Sequence, residues 1–289
     1  MTDFILDYEL TIRLSIFFAI FALMAIWEIS LPCRQLNFSR SRRWSSNLGI
    51  VVLNSLVLRL LFPAAAVGFA AFTSEKGWGL LNEISLPLWL NVVIAVILMD
   101  MVIYLQHVMV HAIPALWRLH RVHHADPDYD LTTGARFHPI EILLSMLIKI
   151  TTIAALGPSV MAVLIFEVVL NSMAMFNHGN VSLPQRFDRI LRWLVVTPDM
   201  HRVHHSVIPK ETNSNFGFNL SIWDRLMGTY IAQPQLGHQQ MQIGVGSLQN
   251  PNLITKLPGM LKIPFLKDRQ GDDEYNIQNR SWPNQGDSQ

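Results

Sequence analysis

The five-residue sequence HRVHH occurs twice in this chain, at residues 120–124 and again at residues 201–205. Histidine is the commonest metal ligand in proteins, and its imidazole suits zinc, copper, iron and nickel. Both copies have the spacing HxxHH, and His107 and His111 form a third group with the spacing HxxxH. Residues three and four apart share one face of a helix. The sequence therefore predicts three helical faces that each present imidazoles together.

Ten of the eleven histidines lie between residues 107 and 205. A lone histidine is most often a solvated or hydrogen-bonded polar residue, whereas three clusters with repeated ligand spacing favour a metal site. Three converging faces supply eight imidazoles, which are enough to bind two ions with open coordination positions. His238 lies outside the clusters, and we expect no ligand role for it.

The composition indicates that a membrane protein positions these histidines. Of the 289 residues, 51% are hydrophobic and 15% are charged, and this balance is unusual for a soluble domain. A bilayer core takes about 20 apolar residues as helix, and apolar runs cover 10–27, 48–72, 86–105 and 142–176. Gly-Pro-Ser at 157–159 predicts that the last run is a helical hairpin. We expect an all-α bundle of about four membrane helices, or three plus this hairpin.

Charge placement orients the predicted bundle. Acidic residues precede the first apolar run, and four arginines follow it: Arg34, Arg40, Arg42 and Arg43. The positive-inside rule places the N-terminus outside and the arginines in the cytoplasm, so every histidine cluster falls on the cytoplasmic face. We expect N-terminal membrane helices over 1–90, a catalytic domain over 91–235 and a linker with a polar tail over 236–289.

Charge and cysteine content exclude several classes of function. A net charge of +1 gives no electrostatic basis for binding nucleic acid. Cys33 is the single cysteine in the sequence. An internal disulfide framework and an iron–sulfur cluster held by thiolates are therefore both excluded.

Polar residues extend two of the histidine faces into the apolar runs. The two stripes comprise Asp100, Tyr104, His107 and His111, and Glu167, Asn171, Ala174 and His178. Metal-bound histidines commonly donate their other N–H group to a carboxylate or carbonyl. We therefore predict that Asp100, Glu167 and Asn171 orient the ligands. An ion pair of Asp100 or Glu167 with Lys149 or Arg59 is an equally favoured alternative.

The order HxxxH, HxxHH and a later HxxHH resembles the fatty acid hydroxylase and sterol desaturase superfamily of integral-membrane oxygenases. The segments that carry the resemblance are HRVHHADPDYDLTTGARFHPIE, FNHGNVSLP, TPDMHRVHHS and ETNSNFGFNLSIWDRLMGTY. They are similar to bacterial members called sterol desaturase family proteins. The resemblance implies a helical membrane bundle capped by a cytoplasmic helical domain with a dinuclear metal centre, in the bacterial inner membrane.

The resemblance also implies a set of metal ligands: His107, His111, His120, His123, His124, His138, His178, His201, His204 and His205. His138 enters the set because some relatives carry an additional histidine at the position of Ala174. Asp224, in the segment WDRLMGTY, is implied as a further carboxylate that supports the ligands.

The reaction implied is O₂-dependent hydroxylation of a lipid C–H bond at two iron ions, for which zinc is the expected substitute in isolated protein. The electrons must come from a separate donor protein of the ferredoxin or cytochrome type, because no segment of the chain resembles such a module. Desaturation of the same lipid remains an alternative. A more distant alternative is a histidine-rich membrane zinc protein. A transporter would need ligands near the bilayer midplane, and a zinc hydrolase usually has three protein ligands.

Overall fold

The computed structural model describes residues 2–266, and the polar tail predicted from residue 268 onward lies outside them. Within this range the chain is helical apart from loops and two isolated β-bridges. The first five helices are α1 Thr2–Ser30, α2 Arg40–Leu61, α3 Ala65–Lys76, α4 Leu80–Glu83 and α5 Leu88–Ala112. The next five are α6 Pro114–His124, α7 Pro139–Leu156, α8 Val160–Asn177, α9 Gln185–Leu191 and α10 Pro198–His204. The last five are α11 Pro209–Thr212, α12 Ile222–Leu226, α13 Gly237–Gln240, α14 Pro251–Thr255 and α15 Leu257–Met260.

Five helical stretches within the described residues are long and apolar enough to cross a membrane: 2–30, 40–83, 88–112, 139–156 and 160–177. The first three correspond to the three predicted helices, and the last two are α7 and α8 of the predicted hairpin. The prediction of an all-α membrane bundle with three helices and a hairpin is therefore confirmed.

The second predicted span is a bent pair of helices, α2 and α3. Asn54 in α2 donates a hydrogen bond to the carbonyl oxygen of Phe137, which lies close to the start of α7. The far end of α3 is followed by Trp78, whose carbonyl lies against Gly157 in the turn of the hairpin. The pair thus runs the length of α7. The bend falls beside Pro63 because proline lacks the N–H group that would continue the helical hydrogen bonds.

The hairpin turn is built from glycine and a capping serine. Gly157 ends α7 in the left-handed conformation with φ of 61°, and Ser159 caps α8 by accepting a hydrogen bond from the backbone N–H of Ala162. A Cβ atom on Gly79 would lie 2.1 Å from the backbone nitrogen of Gly157. The α7–α8 turn and the Gly79 loop therefore pack backbone against backbone.

Helix α8 packs against α1, α3 and α5 and forms the centre of the bundle. Its apolar face carries Val163 and Phe166, which are fully buried with Val67 of α3 and Met99 of α5. Because α5 and α8 both end beside the short helices α6 and α10, this packing brings the histidine-bearing ends of four helices to one end of the bundle.

Two prolines set the direction of the short helices that carry the HRVHH sequences. Pro114 begins α6 directly after α5, and the residue before a proline is disfavoured in helical conformation, so the chain turns there. Thr197 caps α10 by accepting a hydrogen bond from Met200, and Pro198 occupies the first helical position. These local signals start each HRVHH helix close to the bundle end.

The segment after α13 consists of α14, α15 and a short 3₁₀ helix at Ile263–Phe265. Ile254, Met260 and Ile263 are buried in one apolar cluster with Val122 of α6. This segment is therefore a packed extension of the histidine-bearing region.

Candidate metal centre

The structure brings nine of the ten predicted ligands into one buried cluster that consists of two groups. The five-histidine group comprises His107, His111, His120, His124 and His204. The four-histidine group comprises His123, His178, His201 and His205. Within each group the candidate ligand nitrogens all lie within 4.8 Å of one another. The groups adjoin, because the rings of His124 and His205 stack with their centroids 4.5 Å apart.

Each HxxHH sequence serves both groups. In α6, His120 and His124 face the five-histidine group and His123 faces the other. In the second copy the roles are exchanged, since His201 and His205 belong to the four-histidine group and His204 does not. A helix advances about 100° per residue, so positions four apart differ by only about 40° in direction whereas adjacent positions diverge. The HH pair therefore supplies one imidazole to each group.

The outer nitrogens of three rings in the five-histidine group are held by oxygen acceptors. His107 and His204 each donate from Nδ1 to a backbone carbonyl, of Phe216 at 2.8 Å and of Ser214 at 2.7 Å. Because a carbonyl oxygen only accepts, these Nδ1 atoms carry the proton and each Nε2 has a free lone pair. Both Nε2 atoms are buried and have no hydrogen-bond partner within residues 2–266.

His120 completes this pattern with a carboxylate. Its Nδ1 lies 2.6 Å from Oε1 of buried Glu141, and its buried Nε2 has no hydrogen-bond partner in the described part of the chain. Three inward lone pairs without donors are costly in a protein interior unless something binds them. A metal ion fits this donor set, since carboxylate and carbonyl partners commonly orient metal-bound histidines in the same way.

The four-histidine group is centred on His178, which follows the last residue of α8. Its Nδ1 donates to the carbonyl of Ala174, and its Nε2 lies 3.1 Å from Nε2 of both His123 and His201. Two nitrogens that would each lie about 2.1 Å from one ion can be no more than about 4 Å apart. The spacing of these ring nitrogens therefore fits a shared ion.

The imidazoles outside the membrane helices are held in the neutral form that binds metals. For five of the rings, burial and the neighbouring imidazoles lower the pKa well below the usual value for histidine. These rings belong to His123, His124, His201, His204 and His205. Burial likewise lowers the pKa of His178 to about 3. Near neutral pH these rings carry no extra proton, so a metal ion can bind them without displacing one.

His138 and His238 lie outside both groups. His138 is the residue before α7, and its Nδ1 accepts a hydrogen bond from the backbone N–H of Ile140. The structure thus gives His138 a capping contact and does not bring it to the other predicted ligands. The ring of His238 is partly exposed and lies 4.0 Å from the carboxylate of Asp199.

Two predicted carboxylates support loops and touch no imidazole directly. Asp224 accepts hydrogen bonds from the backbone N–H groups of Phe216 and Gly217 and from the Thr229 hydroxyl. It therefore acts on His107 through Phe216, whose carbonyl holds that ring. Asp100 in α5 accepts from Trp223 Nε1 at 2.9 Å and from backbone N–H groups of the same loop. Burial raises the pKa of Asp224 to about 7.

Glu167 forms the ion pair that was the alternative to a ligand-orienting role. Its Oε1 lies 2.7 Å from Lys149 Nζ, and its Oε2 lies 3.1 Å from Arg13 Nη1. Asn171 donates to the backbone carbonyl of Glu167. The partner of Glu167 besides Lys149 is thus Arg13 of α1 rather than Arg59.

Sequence reasoning missed Glu141 and the buried ion network that follows α6. Glu141 was detectable as an acid in the first turn of the apolar hairpin run, close to HxxHH in sequence. In the network, Arg43 of α2 donates to Asp126 and Asp130, and Arg136 donates from Nε to the carbonyl of Val122. Burial disfavours ionisation of Asp126, but Arg43 and Arg136 hold its pKa below the usual range. This network fixes the chain directly after His124.

A cavity of about 300 Å³ reaches the histidine cluster from within the bundle. His107, His120 and His123 line one end of it, and its walls are made by α1, α2, α5, α7 and α8. Side chains such as Phe17, Ile103 and Leu170 make much of this wall apolar. A hydrocarbon chain fits the chemistry of such a wall.

Comparison with known proteins agrees with this site. The family model described as fatty acid hydroxylase matches residues 92–229, a range that contains all nine clustered histidines. Ornithine lipid hydroxylase OlsE of Rhizobium tropici is 30% identical over 149 residues, which cover 52% of this chain and 44% of that protein. No solved structure matches the chain.

Two further relatives are lipid oxygenases by name. Alkylglycerol monooxygenase of Xenopus tropicalis is 31% identical over 46% of this chain and 28% of its own length. Cholesterol 25-hydroxylase of Rattus norvegicus is 26% identical over 50% of this chain and 48% of its own length. The match thus spans less than half the length of each of these relatives. Residues 92–229 thus match a fatty acid hydroxylase domain, and the similarity to these relatives supports a place in the fatty acid hydroxylase and sterol desaturase superfamily.

Proposed function

We propose that the chain is a membrane-bound, O₂-dependent oxygenase that binds two iron ions and hydroxylates a C–H bond of a lipid. The observation that carries this proposal is the pair of buried imidazole groups at one end of a cavity with largely apolar walls. The similar proteins are lipid hydroxylases and monooxygenases, which supports the same class of reaction. The proposed ligands are the nine clustered histidines, in a catalytic domain over residues 91–235.

The reaction consumes the substrate RH, O₂, two electrons and two protons, and yields ROH and water. One oxygen atom enters the new C–O bond, and the other is reduced to water. Iron bound at both groups would supply the O₂ chemistry, for which imidazole is a suitable ligand. The two electrons come from a separate donor protein of the ferredoxin or cytochrome type. We further propose that the centre lies at the cytoplasmic face of a bacterial inner membrane, where such a donor can reach it.

The protein residues position the ligands and keep the site dry. Phe216, Ser214 and Glu141 hold the Nδ1 protons of three rings, so that each Nε2 points inward. The apolar wall of the cavity lets hydrocarbon approach His107, His120 and His123 while excluding bulk water. A fixed, dehydrated ligand set of this kind reduces the reorganisation that the reaction requires.

The test compares lipids from cells that express the wild type or the His123→Ala variant, grown under ¹⁸O₂. Wild-type cells should accumulate a lipid that gains one labelled oxygen atom, and the variant should not. The purified protein should contain two iron ions, and its activity should require both O₂ and a reductant. A product lacking two hydrogens would instead establish desaturation. Ester or amide cleavage by the zinc-loaded protein without O₂ would overturn the proposal.

A further inference from the structure

The cavity has a second polar end, which the proposed chemistry at the imidazoles does not use. Arg13 of α1, Lys149 of α7 and Glu167 of α8 all line the cavity and form one connected ion cluster. We call these three residues the Arg13–Glu167–Lys149 cluster. All three lie in helices that can cross a membrane. Charged side chains at such positions are costly, and they usually mark a site of function.

This cluster is well separated from the metal centre. Along α7, Lys149 follows Glu141, the partner of His120, by eight residues, which is about 12 Å of helix. Along α8, Glu167 precedes Ala174, the partner of His178, by seven residues, or about 10 Å. Leu170 and Met146 line the wall between the two ends. The cavity therefore has charged side chains at one end and imidazoles at the other, and the wall between them mixes apolar side chains with the polar Ser145 and Asn171.

The cluster has more hydrogen-bond donors than its own acceptors can use. A lysine ammonium has three donors, and within the described residues Lys149 donates to Glu167 alone. A guanidinium has five, and Arg13 uses Nη1 for both Glu167 and the partly exposed Glu9. Of the Glu167 carboxylate oxygens, Oε1 accepts from Lys149, and Oε2 lies 3.1 Å from Arg13 Nη1 without a hydrogen bond within the described residues. Two carboxylate oxygens still cannot use the eight donors of one ammonium and one guanidinium. The remaining donors suit a ligand that brings oxygen acceptors.

We propose that the Arg13–Glu167–Lys149 cluster binds the polar end of the lipid substrate through acceptor oxygens, with a carboxylate as the best-matched group. The hydrocarbon of the same molecule then extends along the cavity toward His107, His120 and His123. The distance between the two ends determines which carbon reaches the metal centre. This inference rests on the proposed function for the identity of the ligand as substrate, but the binding site itself can be tested without the reaction.

The test measures binding of three probes with the same hydrocarbon chain: hexadecanoic acid, hexadecan-1-ol and hexadecan-1-amine. Binding is followed by the rise in Tm of the metal-loaded full chain in detergent, without O₂. The wild type should bind the acid most tightly and the amine least. The Lys149→Met variant should bind the acid about ten- to a hundredfold more weakly, since a hydrogen bond to a charged group is lost. Lys149→Arg should restore the preference for the acid.

Arg59→Met is the matched control, because Arg59 is a basic residue of α2 that lies exposed and does not line the cavity. This variant should keep the wild-type order of the three probes. If Lys149→Met does not fold, Arg13→Met and the wild-type series still decide the question. Equal affinity of the wild type for all three probes would overturn the inference, as would a preference for the acid that survives in both Lys149→Met and Arg13→Met. Failure of the hydroxylation assay would leave this binding result intact.

Discussion

The two imidazole groups are held in position by different forces. In the five-histidine group, the outer nitrogens of His107, His120 and His204 are bonded to oxygen acceptors. In the four-histidine group, packing contributes more. Phe137 stacks on His123 with centroids 4.5 Å apart, and Tyr129 packs edge-on against His205 at 4.9 Å. The Nδ1 atoms of His123 and His205 have no hydrogen-bond partner among residues 2–266. Oxygen acceptors thus hold three of the five rings in the first group, whereas in the second group they hold His178 and ring packing positions His123 and His205.

The number of ligands should make the four-histidine group the more fragile of the two. His201→Ala leaves three imidazoles in that group, whereas His111→Ala leaves four in the other. We expect His201→Ala to lose one of the two bound ions and His111→Ala to retain both at saturating metal. Metal analysis of the purified variants measures this difference, with His238→Ala as the control that keeps both ions. Loss of one ion from both ligand variants would show that the fifth imidazole does not compensate.

The hydrogen bond from His120 to Glu141 offers a way to weaken the five-histidine group alone. Glu141→Ala removes the acceptor and leaves a buried Nδ1 proton unsatisfied, so the metal affinity of this group should fall by about ten- to a hundredfold. Glu141→Gln keeps an acceptor oxygen without the charge and should lose less. Titration against a chelator resolves the two ions, and the affinity of the four-histidine group is the internal control. An equal loss at both groups would contradict independent support of the two groups.

Much of this site could be predicted from spacing because the helix fixes it locally. HxxHH places imidazoles three and four apart regardless of the rest of the fold, and the buried acids Asp100 and Glu167 stand out in apolar runs. His178 was indicated by the polar stripe on the returning helix of the hairpin, and the family resemblance implied the same ligand. The spacing also predicts the separation into two groups, because the adjacent histidines of each HH pair point in directions about 100° apart on a helix.

Other features of the site depend on tertiary contacts that spacing does not encode. The acceptors of His107 and His204 are backbone carbonyls of Phe216 and Ser214, which any residue type would provide. Asn215, between them, adopts a left-handed conformation with φ of 49° and bonds two other segments through its side chain. His138 has the residue type of a ligand, yet its position at the start of α7 turns it into a capping contact. Residue types therefore predicted the candidate ligand histidines better than the groups that hydrogen-bond to them.

The smallest expected effect on the five-histidine group comes from the protonation of Asp224, which can be followed through the pH dependence of stability. Burial raises its pKa to about 7, from an ordinary value near 4. Between these two values the folded chain therefore holds a proton that the unfolded chain releases. The stability contributed by this proton is fully present below about pH 4 and is lost as the pH rises to 7, by at most about 1.4 kcal/mol per pH unit. Asp224→Asn cannot titrate and should lack this slope.

The measurement is the difference in Tm between Asp224→Asn and the wild type, both metal-loaded in the same detergent, at intervals from pH 5 to 8. The difference should shift in favour of the variant up to about pH 7 and then level off. Asp126→Asn is the matched comparison, because the pKa of Asp126 is held below its usual range and its difference from wild type should stay constant over this interval. A constant difference for Asp224→Asn as well would mean that the three donors from Phe216, Gly217 and Thr229 keep Asp224 ionised throughout. The carbonyl that holds His107 would then be anchored by a permanent charge.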